Sequence, residues 1–204
     1  MAVAGAGLEG IVATSSNICF IDGEAGILSY QGFNIHTLAE NATFEECIYL
    51  LWHGKLPTQA ELDGLKKSLA AERAIPAPVA EFLKSAGKFP PMETLRTAVS
   101  MLGLYDPDRD DDSIEASTRK AHRLMSQTST AVTTFDRLRN GKELVADDPS
   151  LGFAADFLYK LTGKKPDEIS ERTFDIALIL HADHELNAST FAARVTAATL
   201  SDIH

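Results

Sequence analysis

Two four-residue apolar runs, Ile18-Cys19-Phe20-Ile21 and Ile27-Leu28-Ser29-Tyr30, flank the connection Asp22-Gly23-Glu24-Ala25-Gly26. This arrangement predicts a β-hairpin, with Gly32 closing it. From Ile35 onward the period becomes helical. Thr43-Phe44-Glu45-Glu46 fits a capping box, with Thr43 as N-cap and Glu46 at N3, opening a helix over 44–53 that Gly54 stops. Pro57-Thr58 starts another helix from 59 to about 72, and more are predicted over 78–86, 92–102, 112–140, 151–161 and 167 to about 185. Met92, Leu95, Val99 and Leu102 recur at spacings of three and four, an apolar stripe that should face a partner. The long helix carries Ile114, Ala121, Leu124, Met125, Thr128, Val132, Phe135 and Leu138 on a similar stripe, with Asn140-Gly141 as its C-cap pair. Nothing after the hairpin alternates with period two. The expected fold is all-α, mainly helical, with a short N-terminal β-hairpin.

Composition narrows the class without naming a chemistry. At 204 residues, 45% hydrophobic and 24% charged, the chain reads as an ordinary soluble globular protein. Its net charge, 19 − 29 = −10, argues against generic nucleic-acid binding and against docking on anionic membranes, but not against a small anionic substrate in a locally basic pocket. Cys19 and Cys47 sit among apolar neighbours with no CxxC spacing, as expected of buried thiols in a reducing compartment. The start MAVAGAGLEG lacks the basic and apolar regions of a signal peptide, and no stretch reaches the roughly 18 apolar residues of a membrane span. A cytoplasmic protein is expected.

The most chemically loaded segment is His181-Ala182-Asp183-His184-Glu185-Leu186-Asn187-Ala188-Ser189-Thr190, directly after the apolar run Ile176-Ala177-Leu178-Ile179-Leu180. At a helical rise His181, His184 and Glu185 would share one face and Asp183 would point elsewhere. Three readings compete: a partial metal site, two satisfied core histidines, and a pocket in which His184 and Asn187 hold a polar anionic ligand. The order is not H-E-x-x-H and no second His/Cys cluster completes a ligand set, so no metal is expected. Imidazole and amide donors suit carboxylate and carbonyl oxygens. The aspartate-rich DPDRDDD over 106–112 lacks the spaced pattern of a calcium loop and reads as a solvated acidic helix N-terminus. There is no GxGxxG, GxxxxGK[ST] or GxSxG. His36, His53 and His122 have no partner pattern and read as structural or surface residues.

The stretch Gly7-Leu8-Glu9-Gly10-Ile11-Val12-Ala13-Thr14-Ser15-Ser16 leading into Phe20-Ile21-Asp22-Gly23-Glu24-Ala25-Gly26-Ile27-Leu28-Ser29-Tyr30 resembles the N-terminus of bacterial and archaeal citrate synthases. So do Ala39-Glu40, Thr43-Phe44-Glu45-Glu46, Tyr49-Leu50-Leu51-Trp52-His53-Gly54, Leu56-Pro57-Thr58, Pro91-Met92 and Leu95-Arg96-Thr97. Strongest is Leu180-His181-Ala182-Asp183-His184-Glu185-Leu186-Asn187-Ala188-Ser189-Thr190-Phe191. The resemblance runs along essentially the whole chain.

The resemblance implies a helical homodimer with a large domain and a small domain hinged over the active site, condensing acetyl-CoA with oxaloacetate to citrate and free CoA. It implies an aspartate that removes a methyl proton, a histidine that stabilises the enol, a second histidine that polarises the ketone, and arginines that hold the carboxylates. His184 matches the imidazole that contacts oxaloacetate, and Asn187 matches a residue of the same pocket. The logic is general acid–base catalysis in a water-excluded site. No cofactor is implied, since acetyl-CoA is a substrate.

The family's LHGGAN and GHR segments, its catalytic aspartate and its substrate arginines are absent from these 204 residues. The chain is therefore expected to be an N-terminal portion with no catalytic residue of its own: residues 1–34 the hairpin segment, 35–204 part of the large domain, the small domain following residue 204. Gln31, where the family frequently has Tyr-Arg-Gly, and Pro90, where histidine often precedes Pro-Met, are smaller departures. The alternatives are a fragment of a 2-methylcitrate synthase and a non-catalytic helical dimerisation module.

Overall fold

A computed structural model describes residues 14–204, so the first part of the N-terminal motif, residues 7–13, lies outside the described residues. Strands β1 (Cys19–Asp22), β2 (Ile27–Tyr30) and β3 (Phe33–Asn34) form one antiparallel sheet in the order β1-β2-β3. In the hairpin register Cys19 faces Tyr30 and Asp22 faces Ile27. The Asp22 carboxylate accepts the Glu24 and Ala25 N–H groups at 3.1 and 2.9 Å, organising the connection as an Asx-type turn. The predicted hairpin is present; β3, two residues long, is too short to leave a period-two signal. It follows a reversal in which Gln31 and Gly32 both take positive φ, 50° and 84°.

Nine helices follow among the described residues: α1 (Ile35–Asn41), α2 (Phe44–His53), α3 (Gln59–Ala71), α4 (Ala77–Ser85), α5 (Pro91–Leu104), α6 (Ile114–Arg139), α7 (Phe153–Thr162), α8 (Glu168–Leu180) and α9 (Ala188–Ala197). Helix starts follow the local chemistry. Thr43 and Thr58 each close a capping box, with Glu46 and Glu61, and Gly54 ends α2 in the left-handed region at φ 72°. At two helix starts a carboxylate distant in sequence supplies an acceptor. Gly152, the N-cap of α7, has no side chain, and Glu45 of α2 accepts the Phe153 N–H at 2.9 Å instead. Asp175 of α8 likewise accepts the Phe44 N–H of α2 at 2.9 Å. A Cβ on Gly152 would meet the Glu45 carboxylate at 3.1 Å, close enough to push that capping oxygen back by a few tenths of an ångström.

Two apolar clusters form the core. One joins the hairpin to the first helices and α8: Cys19, Tyr30, Leu38, Phe44, Cys47, Leu50, Leu69 and Ile179 are all buried within it. The other, Val79, Leu83, Ala98, Leu102, Ala131 and Phe135, binds α4 and α5 to α6. The long α6 packs on α3, α4, α5 and α7 and so spans both clusters.

Three expectations need correction. On α5 the fully buried positions are Thr94, Ala98 and Leu102, while Met92 is 74% exposed, so only part of the predicted stripe meets a neighbour. On α6 most buried positions are polar, Lys120, Arg123, Ser126, Thr130, Thr133 and Thr134, beside Ala116, Ala131 and Phe135; of the predicted stripe Phe135 is buried, Leu124, Met125 and Leu138 pack half-buried against the two clusters, and Ile114 lies 81% exposed. Ala121, Leu124, Met125, Thr128 and Val132 also line an open apolar groove of about 570 Å³ with Trp52, Phe157 and Phe174. The segment 106–112 is also more than a solvated acidic end. Asp106 is buried and takes a bidentate pair from Arg123 at 2.7 and 2.8 Å, and Asp108 takes Arg119 at 2.6 and 3.0 Å as well as Arg123. The Arg119 and Arg123 guanidinium groups hold the Asp108 carboxyl well below the usual range.

Both cysteines are free and buried. Burial pushes the Cys19 thiol up to about 11 and the Cys47 thiol up to about 12, so neither supplies thiolate near neutrality. An aromatic disulfide reagent at pH 8 is therefore expected to leave both unmodified in the native protein and to titrate both in denaturant. Rapid native-state labelling of either would contradict this burial.

Candidate functional site

Helix α8 ends at Leu180 with His181 as its C-cap, so the helix expected from 167 to about 185 is five residues too long and His181, His184 and Glu185 do not share a helical face. The cause is local competition for backbone donors. The Asp183 carboxylate accepts the Glu185 N–H at 2.8 Å, an Asx turn that replaces continued helix. Glu185 then takes φ 58°, a left-handed conformation that costs a non-glycine residue about 1–3 kcal/mol. His184 is the apex of this turn.

Both flanks of the apex are anchored to the hairpin. The Tyr30 hydroxyl donates to the Ile179 carbonyl at 3.0 Å, lies 3.3 Å from the Asp183 carbonyl oxygen, and accepts from the Asp183 N–H at 3.3 Å. The Cys19 thiol reaches the Asp183 carbonyl at 3.9 Å. On the other flank the Glu185 carboxylate accepts the Ile21 N–H of β1 at 2.8 Å. Burial pushes the Tyr30 phenol up to about 12, so it stays a neutral hydrogen-bonding group across the working pH range.

The sequence-predicted site residues meet different fates. His184 is exposed, and among the described residues no hydrogen bond or ion pair engages its imidazole. Asn187 is exposed and is the N-cap of α9: its side-chain oxygen accepts the Ser189 and Thr190 N–H groups at 3.0 Å each. The amide nitrogen is left as a donor. No hydrogen bond joins His184 to Asn187 among the described residues. His181 is exposed with Nδ1 2.7 Å from the Ala177 carbonyl oxygen, a bond within its own helix end. Among the described residues no group of three or more His, Cys, Asp or Glu is arranged to hold a metal ion. Asp183, Glu185 and Tyr30 are the residues that local reading did not assign. Their contacts bridge 149 to 164 positions, which no helical or strand period can register. The Asp-x-Glu spacing was the one available signal, since an Asp side chain readily bonds the N–H two residues on.

Two other histidines pack against aromatic rings. His122 stacks on Trp52, ring centroids 5.1 Å apart, and shares a 2.6 Å hydrogen bond with Ser68. His53 packs its ring 4.1 Å from that of Tyr49.

A mostly helical fold with a short N-terminal antiparallel sheet is the architecture this chain shares with solved citrate synthases. The crystal structure of citrate synthase from Pyrobaculum aerophilum superposes with a TM-score of 0.92 at 39% identity, over 97% of this chain and 51% of that one. A ternary complex of carboxymethyl coenzyme A and oxaloacetate with the Thermoplasma acidophilum citrate synthase gives 0.89 at 28% identity, over 97% and 52%. Citrate synthase 2 of Bacillus subtilis (strain 168) is 50% identical over 97% of this chain and 53% of its own length. The chain belongs to the citrate synthase family, whose model, described as citrate synthase, C-terminal domain, matches residues 7–204. It spans about half the length of the curated relatives it matches.

Tyr30→Phe tests the anchoring. The substitution keeps the buried ring but leaves the Ile179 carbonyl and Asp183 N–H without their partner, at an expected cost of about 1–3 kcal/mol in urea unfolding. A midpoint indistinguishable from that of the unsubstituted protein would show that the hydroxyl anchors nothing.

Proposed function

We propose that a protein of the relatives' full length carrying this chain is a citrate synthase, condensing acetyl-CoA with oxaloacetate to citrate and free CoA. The observation that carries this reading is the His184 apex: both flanking residues are fixed, and the imidazole itself is left without a partner among the described residues. A donor so presented suits a ligand oxygen, and oxaloacetate is among the ligands in the Thermoplasma acidophilum complex to which this fold is similar. In this reading His184 donates to oxaloacetate and the free amide nitrogen of Asn187 adds a second donor at the start of α9. The N-terminus of α9, capped by Asn187, favours an anionic ligand as well. The proton abstraction and enol stabilisation fall to residues outside this chain. Residues 35–204 act as part of the large domain, and acetyl-CoA enters as a substrate rather than as a bound cofactor.

A homodimer in the cytoplasm is part of the same proposal. Met92, Leu104, Val195 and Leu200 are 74%, 65%, 54% and 88% exposed, apolar surface that a second copy would cover about a two-fold axis. No helix of the described residues is long and apolar enough to cross a membrane.

Thiol release from acetyl-CoA in the presence of oxaloacetate tests the activity. The full-length protein should turn over, the 204 residues alone should not, and His184→Ala in the full-length protein should lose about 1.5–3 kcal/mol in kcat/KM for oxaloacetate. Full-length protein without turnover would overturn the reading. For the dimer, light scattering should give twice the protomer mass, with Met92→Glu shifting the equilibrium toward monomer. A monomer at micromolar concentration would rule the dimer out.

A further inference from the structure

The turn that carries His184 is held by a residue that has no reason to touch substrate. Resting on the proposed oxaloacetate reading, we infer that Glu185 is a positioning residue: its carboxylate ties the His184 turn to β1 and thereby fixes where the imidazole points. Glu185 occupies φ 58°, a conformation that glycine adopts without strain, yet the position carries a long acidic side chain. That side chain is spent on one contact, the 2.8 Å bond from the Ile21 N–H, which belongs to a strand more than 160 positions away in sequence. The Glu185 N–H is itself taken by the Asp183 carboxylate at 2.8 Å, and Asp183 is held by the Tyr30 hydroxyl. His184 therefore sits between two residues that are each bonded to the hairpin, and its backbone has little freedom to rotate. A helix continued through 185 would have projected the imidazole sideways from α8, and a free loop would have left it to sample many directions. The tether selects one direction. Preorganising a substrate donor in this way acts on binding geometry, where misplacement by about 1 Å costs on the order of 100-fold.

Three variants of the full-length protein separate positioning from folding. Glu185→Gln keeps an acceptor oxygen for Ile21 and should stay within about twofold of the unsubstituted protein. Glu185→Gly suits the positive φ and so should fold, but it loses the tether; KM for oxaloacetate should rise by about tenfold or more, while KM for acetyl-CoA changes little. Glu185→Ala loses the tether and keeps the strain, and should match or exceed that loss. Hydrogen exchange gives a reading that does not need activity: the Ile21 amide should lose protection in the glycine and alanine variants and keep it in the glutamine variant. Unchanged oxaloacetate KM in Glu185→Gly, or glutamine performing no better than glycine, would overturn the positioning role. Should the full-length protein show no condensation at all, the functional reading fails by itself. The exchange pattern then decides alone, and an Ile21 amide equally protected in all variants overturns the tether.

Discussion

The buried Tyr30 hydroxyl is the contact on which the arrangement of the chain depends. It sits at the end of β2, fully inaccessible to water, and reaches the last turn of α8 and the backbone just past it. A tyrosine ring contributes apolar area to the core while its hydroxyl needs a partner, and backbone groups freed at a helix end need partners too. Each solves the problem of the other. The consequence is topological: strands read from residues 19–34 are locked to a helix end some 150 positions later, with α1 and α2 enclosed between them.

The same economy recurs with charge. Asp175 caps α2, Glu45 of α2 caps α7, and each carboxylate is buried beside the helix start it serves. Burial raises the Asp175 carboxyl above its ordinary value despite the Phe44 N–H and the Arg172 guanidinium at 2.9 Å. A carboxyl with a raised native pKa gives stability at low pH that is lost as pH rises through that pKa. Asp108 has the opposite sign: its pairs stabilise the fold at neutral pH and fade as pH falls below the ordinary carboxylate range. Arg73 joins this polar interior, donating to the Asp148 and Leu151 carbonyls at 3.0 and 2.7 Å and lying 3.2 Å from Asp156. Removing one member of such a set leaves an unpaired buried charge at a cost of about 3–5 kcal/mol. Replacing the whole set by apolar residues need not destabilise, so its value lies in specifying which helix meets which.

What could be read from the residues alone follows the range of the interaction. Capping boxes at Thr43 and Thr58 are local, three residues wide, and both helices begin where they predict. The hairpin connection is likewise local. The polar part of the buried side of α6 was missed because the partners of Lys120 and Arg123, the loop carbonyls of Arg109 and Asp111 and the Asp106 carboxylate, lie on the preceding segment, and Thr130 meets Lys160 of α7. The apolar stripe of α6 serves two surfaces: Phe135, Leu124, Leu138 and Met125 meet the two clusters, while Ala121, Thr128 and Val132 line the open groove. At the site, His184 and Asn187 were singled out by residue type and by resemblance, whereas the turn that presents them was read as helix. The Asx bond at Asp183 outweighs helix continuation only because Tyr30 and Ile21 supply the other halves, and neither is visible from residues 180–190.

The division of labour within the segment from His181 to Asn187 then has a physical explanation. Four of its polar groups, on His181, Asp183, Glu185 and Asn187, are consumed in five hydrogen bonds to backbone donors or acceptors, at the end of α8, in the turn, on β1 and at the start of α9. His184 alone stands at a position where no backbone group needs it, the outer residue of a turn already closed by its neighbours. A titratable side chain that is exempt from structural duty, on a backbone that is not free to move, combines availability with precision of placement. That combination is what the proposed role of His184 as a substrate donor requires, and it arises because the residues on either side carry the cost of the fold.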